Sequence, residues 1–442
     1  MEMNDMVLIS VDDHVVEPRD LYEGRMPAKF QDRAPKVIRT AKGRDYWSID
    51  GAPVPMIGMN AVAGREKHEY GMEAGSYDEM RAAAWDVDRR IEDMNANGVL
   101  GSLCFPSFPS FAGKAFIDMA DKDLALACIQ AYNDWHVESW CGAHPDRLIP
   151  LAVLPLWDPE LSAAEVRRVH AKGTNTVSIP DNPAQLGLPG IHSESWEPLW
   201  KAIADTDVMI TTHMGTGNAA PHASPETPID SWILSMPISI ANAASDWIHM
   251  KIWQRYPNMR ITLAEGGVGW IPYFLERADI THIRHHSWTQ ADFGGKKPSE
   301  VFNKHFVTCF IDETFGIKNI ADLNEDMVTW ECDYPHADTT WPEAPEFLWR
   351  AVKELPNATI DKITHRNAMR EYKFDPFASK SRAECTVAAL RALAKDVDTQ
   401  PRAMGGVTPG EAGHRVTSGD VARMLEASMS DVEWSGNGRY GK

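Results

Sequence analysis

The sequence predicts an α/β fold, a (β/α)8 TIM barrel with an insertion after the first strand and a C-terminal extension. Three observations support this. Short apolar or β-branched runs alternate with amphipathic helical stretches, the pattern of parallel strands covered by helices. There are eight such runs, at 7–14, 99–105, 148–156, 174–179, 208–213, 260–265, 305–311 and 327–333. Several of them end in acidic residues or histidine, and the C-terminal strand ends are where such barrels place their chemistry. The helical stretches between them fall at 85–97, 121–143, 159–171, 195–205, 232–253, 270–286 and 344–355.

Two segments stand outside this repeat. Residues 16–80 form a long insertion rich in Gly, Pro and Met, in which 46–51 reads as the start of a β-hairpin turning at Asp50-Gly51. The insertion is expected to cover part of the pocket. Residues 1–375 then make up the barrel and 376–442 an extension with helices expected at 383–395 and 420–428. Its Gly-rich polar joints fit either an arm packing on a second subunit or a partly disordered tail.

Charge narrows the partners. With 44 Lys and Arg against 63 Asp and Glu, the net charge of -19 argues against nucleic acid or an anionic membrane surface. The six cysteines show no CxxC pair and no regular spacing, which points to a reducing, cytoplasmic setting. No apolar stretch reaches membrane-spanning length, and the acidic N-terminus lacks the basic and apolar regions of a secretory signal. There is no Walker A loop, and Gly215-x-Gly217 lacks the spacing of a dinucleotide fingerprint, so no nucleotide cofactor is expected. The expected partner is a small organic molecule, handled by a homo-oligomer, most simply a dimer.

The chemistry is read at the strand ends. Asp12-x-His14 closes the first run, and side chains two apart on a strand share a side, which makes half of a divalent metal site. His213 closes the fifth run, ahead of Met214-Gly215-Thr216-Gly217; Glu265 closes the sixth and Asp333 the eighth. This mixed nitrogen and oxygen set suits Zn, Mn or Fe rather than a thiolate-bound metal. Phe105 to Phe111, Trp157, Met214 and Trp288 follow strand or helix ends and point to an apolar or aromatic substrate.

The stretches VDDHVVEP, DVDRRIEDMNANGV, AHPDRLIPLAVLPL, TTHMG, AEGGVGWIPYFLERAD, ECDYPHAD and ITHRNA, spread from residue 11 to 368, resemble the amidohydrolase superfamily. The resemblance is to the branch containing aminocarboxymuconate-semialdehyde decarboxylase. It implies a metal held by Asp12, His14, His213 and Asp333, with Asp333 also taking a proton from the water at the metal. Decarboxylases of that branch carry a histidine at the sixth strand, whereas this sequence has Glu265. A carboxylate there is open to two roles, proton acceptor or ligand. Glu17, in Asp12-x-His14-x-x-Glu17, and His286, four residues after His282, extend the candidate ligand set, enough for one or two ions. Two reaction classes stay open: metal-dependent hydrolysis or non-oxidative decarboxylation, with Asp333, Glu265 and His213 as the catalytic set, and oxygenation by one or two non-haem irons.

Overall fold

A computed structural model describes residues 1–54, 57–218, 223–409 and 413–430. All eight runs become strands. They are β1 (Ile9–Val15), β5 (Gly101–Pro106), β6 (Leu148–Ile149), β7 (Thr176–Ser178), β8 (Met209–His213), β9 (Ile261–Ala264), β10 (Phe306–Phe310) and β11 (Val328–Trp330). Three more, β2 (Lys36–Arg39), β3 (Asp45–Ile49) and β4 (Ala52–Val54), belong to the insertion.

The barrel strands are parallel in the order β6-β5-β1-β11-β10-β9-β8-β7. A bridge between Ala152 and Val177 joins the two ends. There Ala152 N–H donates to Thr176 O at 3.1 Å and Ser178 N–H to Ala152 O at 2.9 Å, so the sheet closes on itself. Alternation along each strand divides the core. Ile9, Leu103, Phe105, Ile149, Met209, Val307 and Cys309 fill the barrel, with Tyr372 and Phe374 in the same cluster. Their neighbours Leu8, Cys104, Leu148, Ile210, Phe306 and Phe310 face the surrounding helices.

Local chemistry sets the helix ends. Val87–Asn97 starts where the Asp86 carboxylate accepts from the N–H groups of Asp88 and Arg89, and stops at Gly98 with φ 76°. Two expected helices divide. The stretch 121–143 becomes Lys122–Trp135 followed by a π-helical turn, His136–Cys141, in which His136 Nε2 lies 3.2 Å from Cys104 O. The stretch 232–253 becomes Ile229–Trp247 and Ile252–Arg255, with Trp253 donating to Trp247 O across the break at 2.7 Å.

The insertion forms an antiparallel sheet, β2-β3-β4, whose β3–β4 turn is Asp50 (φ 50°) and Gly51 (φ 83°). It lies on the mouth. Val62 and Ala63 both donate to Pro335 O at 2.9 Å, and Trp47 stacks on Phe108 at 4.4 Å between ring centroids. The described part of the extension runs back over the same chain. Val387 donates to Met6 O, Arg402 to Gly64 O and Val407 to Glu73 O, and the buried Arg65 guanidinium donates to Gly405 O at 2.7 Å. Its helices are Val387–Leu393 and Ser418–Ser430. The six cysteines are buried and unpaired, and among the described residues no helix is long and apolar enough to cross a membrane.

Candidate metal centre and active site

The first strand places its two candidate ligands by means of a bulge. Ser10 pairs with Ser102 but Asp13 with Cys104, so β1 spends one more residue than β5 over this interval. Strict alternation from Ile9 would bring Asp13 and Val15 into the barrel. With the extra residue, Asp12 and His14 join the interior group instead. Asp13 turns outward, accepting from Ser10 Oγ (3.1 Å), Tyr334 N (3.0 Å) and Ser102 Oγ. The buried Arg90 guanidinium donates to His14 O from above the Tyr334 ring, which fixes the carbonyl of the ligand strand.

The other strands deliver by simple alternation. Met209, Thr211 and His213 share the inner face of β8, as Met327, Thr329, Glu331 and Asp333 do along β11 and its end. His213 Nδ1 lies 2.7 Å from Met214 O. A carbonyl only accepts, so Nδ1 carries the proton and Nε2 keeps its lone pair. Asp333 sits at φ 55° and donates its N–H to Asp12 O at 2.8 Å, tying the ends of the first and last strands together.

These elements converge. His14 Nε2 is 3.5 Å from Asp12 Oδ1 and 3.2 Å from Asp333 Oδ1; His213 Nε2 is 3.4 Å from Asp12 Oδ2 and 3.1 Å from Glu265 Oε2. Among the described residues two groups could each hold a metal, Asp12–His14–His213 and His14–Asp333–His336, with ligand atoms within 4.8 Å of one another. Both oxygens of Asp12 and Asp333, both nitrogens of His14, and His213 Nε2 are buried without a hydrogen-bond partner among the described residues. Burial and the neighbouring acids hold the Asp12 and Asp333 carboxyls well above the usual range, while burial and neighbouring imidazoles hold His14 well below its own. Such a cluster is unfavourable by itself and favourable around a divalent cation, so the residues fit the metal.

Glu265 follows β9 at φ 57° and its backbone N–H donates to Glu331 Oε2 at 3.2 Å. Burial pushes the Glu331 carboxyl up to about 8, with Glu265 adding to the rise. Phe105 and Phe111 flank the imidazoles, Phe111 at 4.6 Å from His14 and 4.3 Å from His213 between ring centroids.

Two candidate ligands are not brought to this cluster. The Glu17 carboxylate turns to the loop after β5, accepting from Ser107 N and Phe108 N at 2.9 Å each and from Tyr132 Oη at 3.2 Å. The chain has left the strand by then, so the period of two no longer applies. His286 is exposed near the end of Ile271–Thr289, with Nδ1 2.9 Å from His282 O. In a barrel this helix starts at the mouth and runs towards the opposite end, which carries His282, His286 and the 73% exposed Trp288 away from the site. His336 and Glu331 join the site without having been singled out in the sequence. Glu331 was legible, two residues before Asp333 on the same face.

Glu17 has a testable role as a brace. Burial lifts its carboxyl from 4.5 to about 7 against the pull of its three donors. The folded state therefore keeps a proton that the unfolded chain releases, so this contribution to stability is full below pH 4.5 and is lost as pH rises to 7. Glu17→Gln should keep its full metal content and flatten that fall, worth about 3 kcal/mol, in denaturant titrations across the window. Metal loss in the folded variant would instead make Glu17 a ligand.

Comparison with known proteins adds a family. The model of the amidohydrolase family (Amidohydro_2) matches residues 36–374, more than half of the chain. The chain belongs to the amidohydrolase family. The 2-amino-3-carboxymuconate-6-semialdehyde decarboxylase of Dictyostelium discoideum is 24% identical over 318 residues, 67% of this chain and 79% of the relative. Among solved structures, an amidohydrolase from Mycobacterium avium subsp. paratuberculosis K-10 superposes with a TM-score of 0.64 at 19% identity, covering 83% of this chain and 99% of that one. A dihydroxybenzoic acid decarboxylase from Polaromonas sp. JS666, solved with manganese and 2-nitroresorcinol, gives a TM-score of 0.55 at 18% identity, covering 85% and 98%. This amidohydrolase is thus an enzyme built on an α/β barrel, with side chains that fit a divalent metal at its mouth. Asp12 and His14 precede the matched segment, so their place in the site rests on geometry.

Proposed function

We propose that this amidohydrolase decarboxylates a small aromatic acid without net oxidation, using a divalent metal held by Asp12, His14, His213 and Asp333, with manganese the first candidate. The observation that carries this reading is the set of partnerless buried ligand atoms from β1, β8 and the end of β11, flanked by Phe105 and Phe111. The decarboxylases among its relatives support the reaction and do not favour oxygen chemistry.

A divalent metal held by Asp12, His14, His213 and Asp333 would supply Lewis-acid chemistry to the oxygen groups of a substrate. Asp333 delivers a proton to the ring carbon that bears the carboxylate. The carbon–carbon bond then breaks, its electrons restore the aromatic ring, and CO2 leaves, with one proton consumed. Glu265 borders the cavity beside His213 and returns a proton to the buried acids. Phe105 and Phe111 exclude water from the imidazoles. We further read the enzyme as a cytoplasmic homodimer, in keeping with its free buried cysteines and with exposed Leu234, Tyr273 and Trp288.

The test is CO2 release from 2,6-dihydroxybenzoate and related hydroxybenzoates by manganese-loaded protein, in air and under argon. Equal rates are expected, and turnover only in air would overturn decarboxylation in favour of oxygenation. Glu265→Gln should keep the metal and lower turnover by about a hundredfold, the scale of a lost acid–base group. Reduced metal content in that variant would identify Glu265 as a ligand, and full activity would remove it from the mechanism.

A further inference from the structure

Beside the metal centre lies a cavity of about 480 Å3 whose described lining is one-sided in charge. Glu265, Glu331, Asp312, Glu313 and Asp338 border it, and among the described residues no Lys, Arg or His does. Glu313 is committed elsewhere, since it accepts from Val268 N and Gly316 N and shapes the loop after β10. Glu331 is fully buried, and its Oε1 has no hydrogen-bond partner among the described residues. Asp338 and Glu265 repel each other, and the cation that acts on Asp338, Lys67, stands outside the lining.

A divalent ion at Asp12 and Asp333 balances those two charges and leaves Glu265, Asp338 and Asp312 with no basic side chain in the described lining. The remaining walls are apolar or aromatic, from Trp270, Met214, Phe310 and Pro237. A second metal ion fits poorly. Glu265, Glu331 and Asp338 belong to neither group whose ligand atoms come within 4.8 Å of one another. Acids spread along an aromatic wall match an organic cation, whose charge is shared among carboxylates while its body covers the indole.

We propose that the substrate of this cavity carries a cationic group, an ammonium or amidinium on an aromatic or apolar body, recognised by Glu265 and Asp338. The inference deepens the decarboxylase reading and rests on its placing the substrate here. On the body of that acid, a further anionic group facing this wall would meet its own sign.

The test is calorimetric binding of benzylamine, benzyl alcohol and benzoate to manganese-loaded protein at low and high salt, repeated with 4-(aminomethyl)benzoate against 4-(hydroxymethyl)benzoate. Each amine is expected to bind at least about tenfold more tightly than its alcohol, with the preference shrinking to within about threefold in Asp338→Asn and at high salt. Asp338 is exposed, so this variant should fold normally. Equal or weaker binding of the amines, or displacement of benzylamine by a second manganese ion per chain, would overturn the proposal. A preference for amines in a protein that releases no CO2 from any aryl acid would sustain it and overturn only the reaction.

Discussion

Folded His14→Ala and His213→Ala are each expected to lose most of the metal, with apparent affinity down by more than about a hundredfold. Loss of a partner that only orients a ligand already costs ten- to a hundredfold, and removal of the ligand itself must exceed it. Both imidazoles are buried and leave a ring nitrogen without a partner among the described residues, so neither is held by a hydrogen bond from them at that atom. The barrel should survive because its interior packing lies mainly below them, in Ile9, Leu103, Met209 and Val307. Elemental analysis and circular dichroism on the same samples check both halves. Wild-type metal in both folded variants would remove this site from the account.

The two histidines also mark where the sequence was sufficient and where it was not. His213 reaches the mouth by plain alternation from Met209 on β8, and Glu331 and Asp333 keep the same spacing of two just past the end of β11. Those positions could be read from the chain because the period of two persists to the strand end. Asp12 and His14 are different. The spacing rule keeps them on one side of β1, but which side depends on an extra residue between Ser10 and Asp13, held by hydrogen bonds from Ser102 and Tyr334 that lie far off in sequence. No local pattern announces such a bulge. Glu17 and His286 failed for related reasons: each looked close by counting residues, while the chain had left the strand in one case and descended a helix in the other.

Backbone geometry accounts for the rest of the site. Glu265 and Asp333 occupy the left-handed region, at φ 57° and 55°, a conformation that costs a non-glycine residue about 1 kcal/mol or more. At Asp333 the turn brings His336 back, with Nδ1 3.0 Å from Asp333 Oδ1 and its ring stacked on His14 at 3.6 Å. The run legible in the sequence ends at Asp333, and no strand period extends from it to His336. The reversal that makes His336 a neighbour depends on the Asp333 N–H finding Asp12 O across the barrel mouth.

Asp333→Asn should give a folded protein with partial metal occupancy and turnover lower by at least about a hundredfold even when metal is saturating. The asparagine preserves shape and the backbone bond to Asp12 O, and its amide oxygen can still coordinate weakly. What disappears is a carboxyl able to hold and release a proton. Burial and the charges of Glu265 and Asp12 push that carboxyl well above the usual range, so near neutrality it binds a proton more readily than an ordinary aspartate. Beside a divalent cation the same carboxyl would give up that proton more readily. The alternative is that Asp333 serves only to cap its loop, where its backbone carbonyl already receives the His336 N–H at 2.9 Å. That bond does not involve the side chain, so a purely structural Asp333 would tolerate asparagine. Single-turnover rates at saturating manganese separate the two, and near wild-type turnover in Asp333→Asn would assign the proton transfer to another group, with Glu265 the next to test.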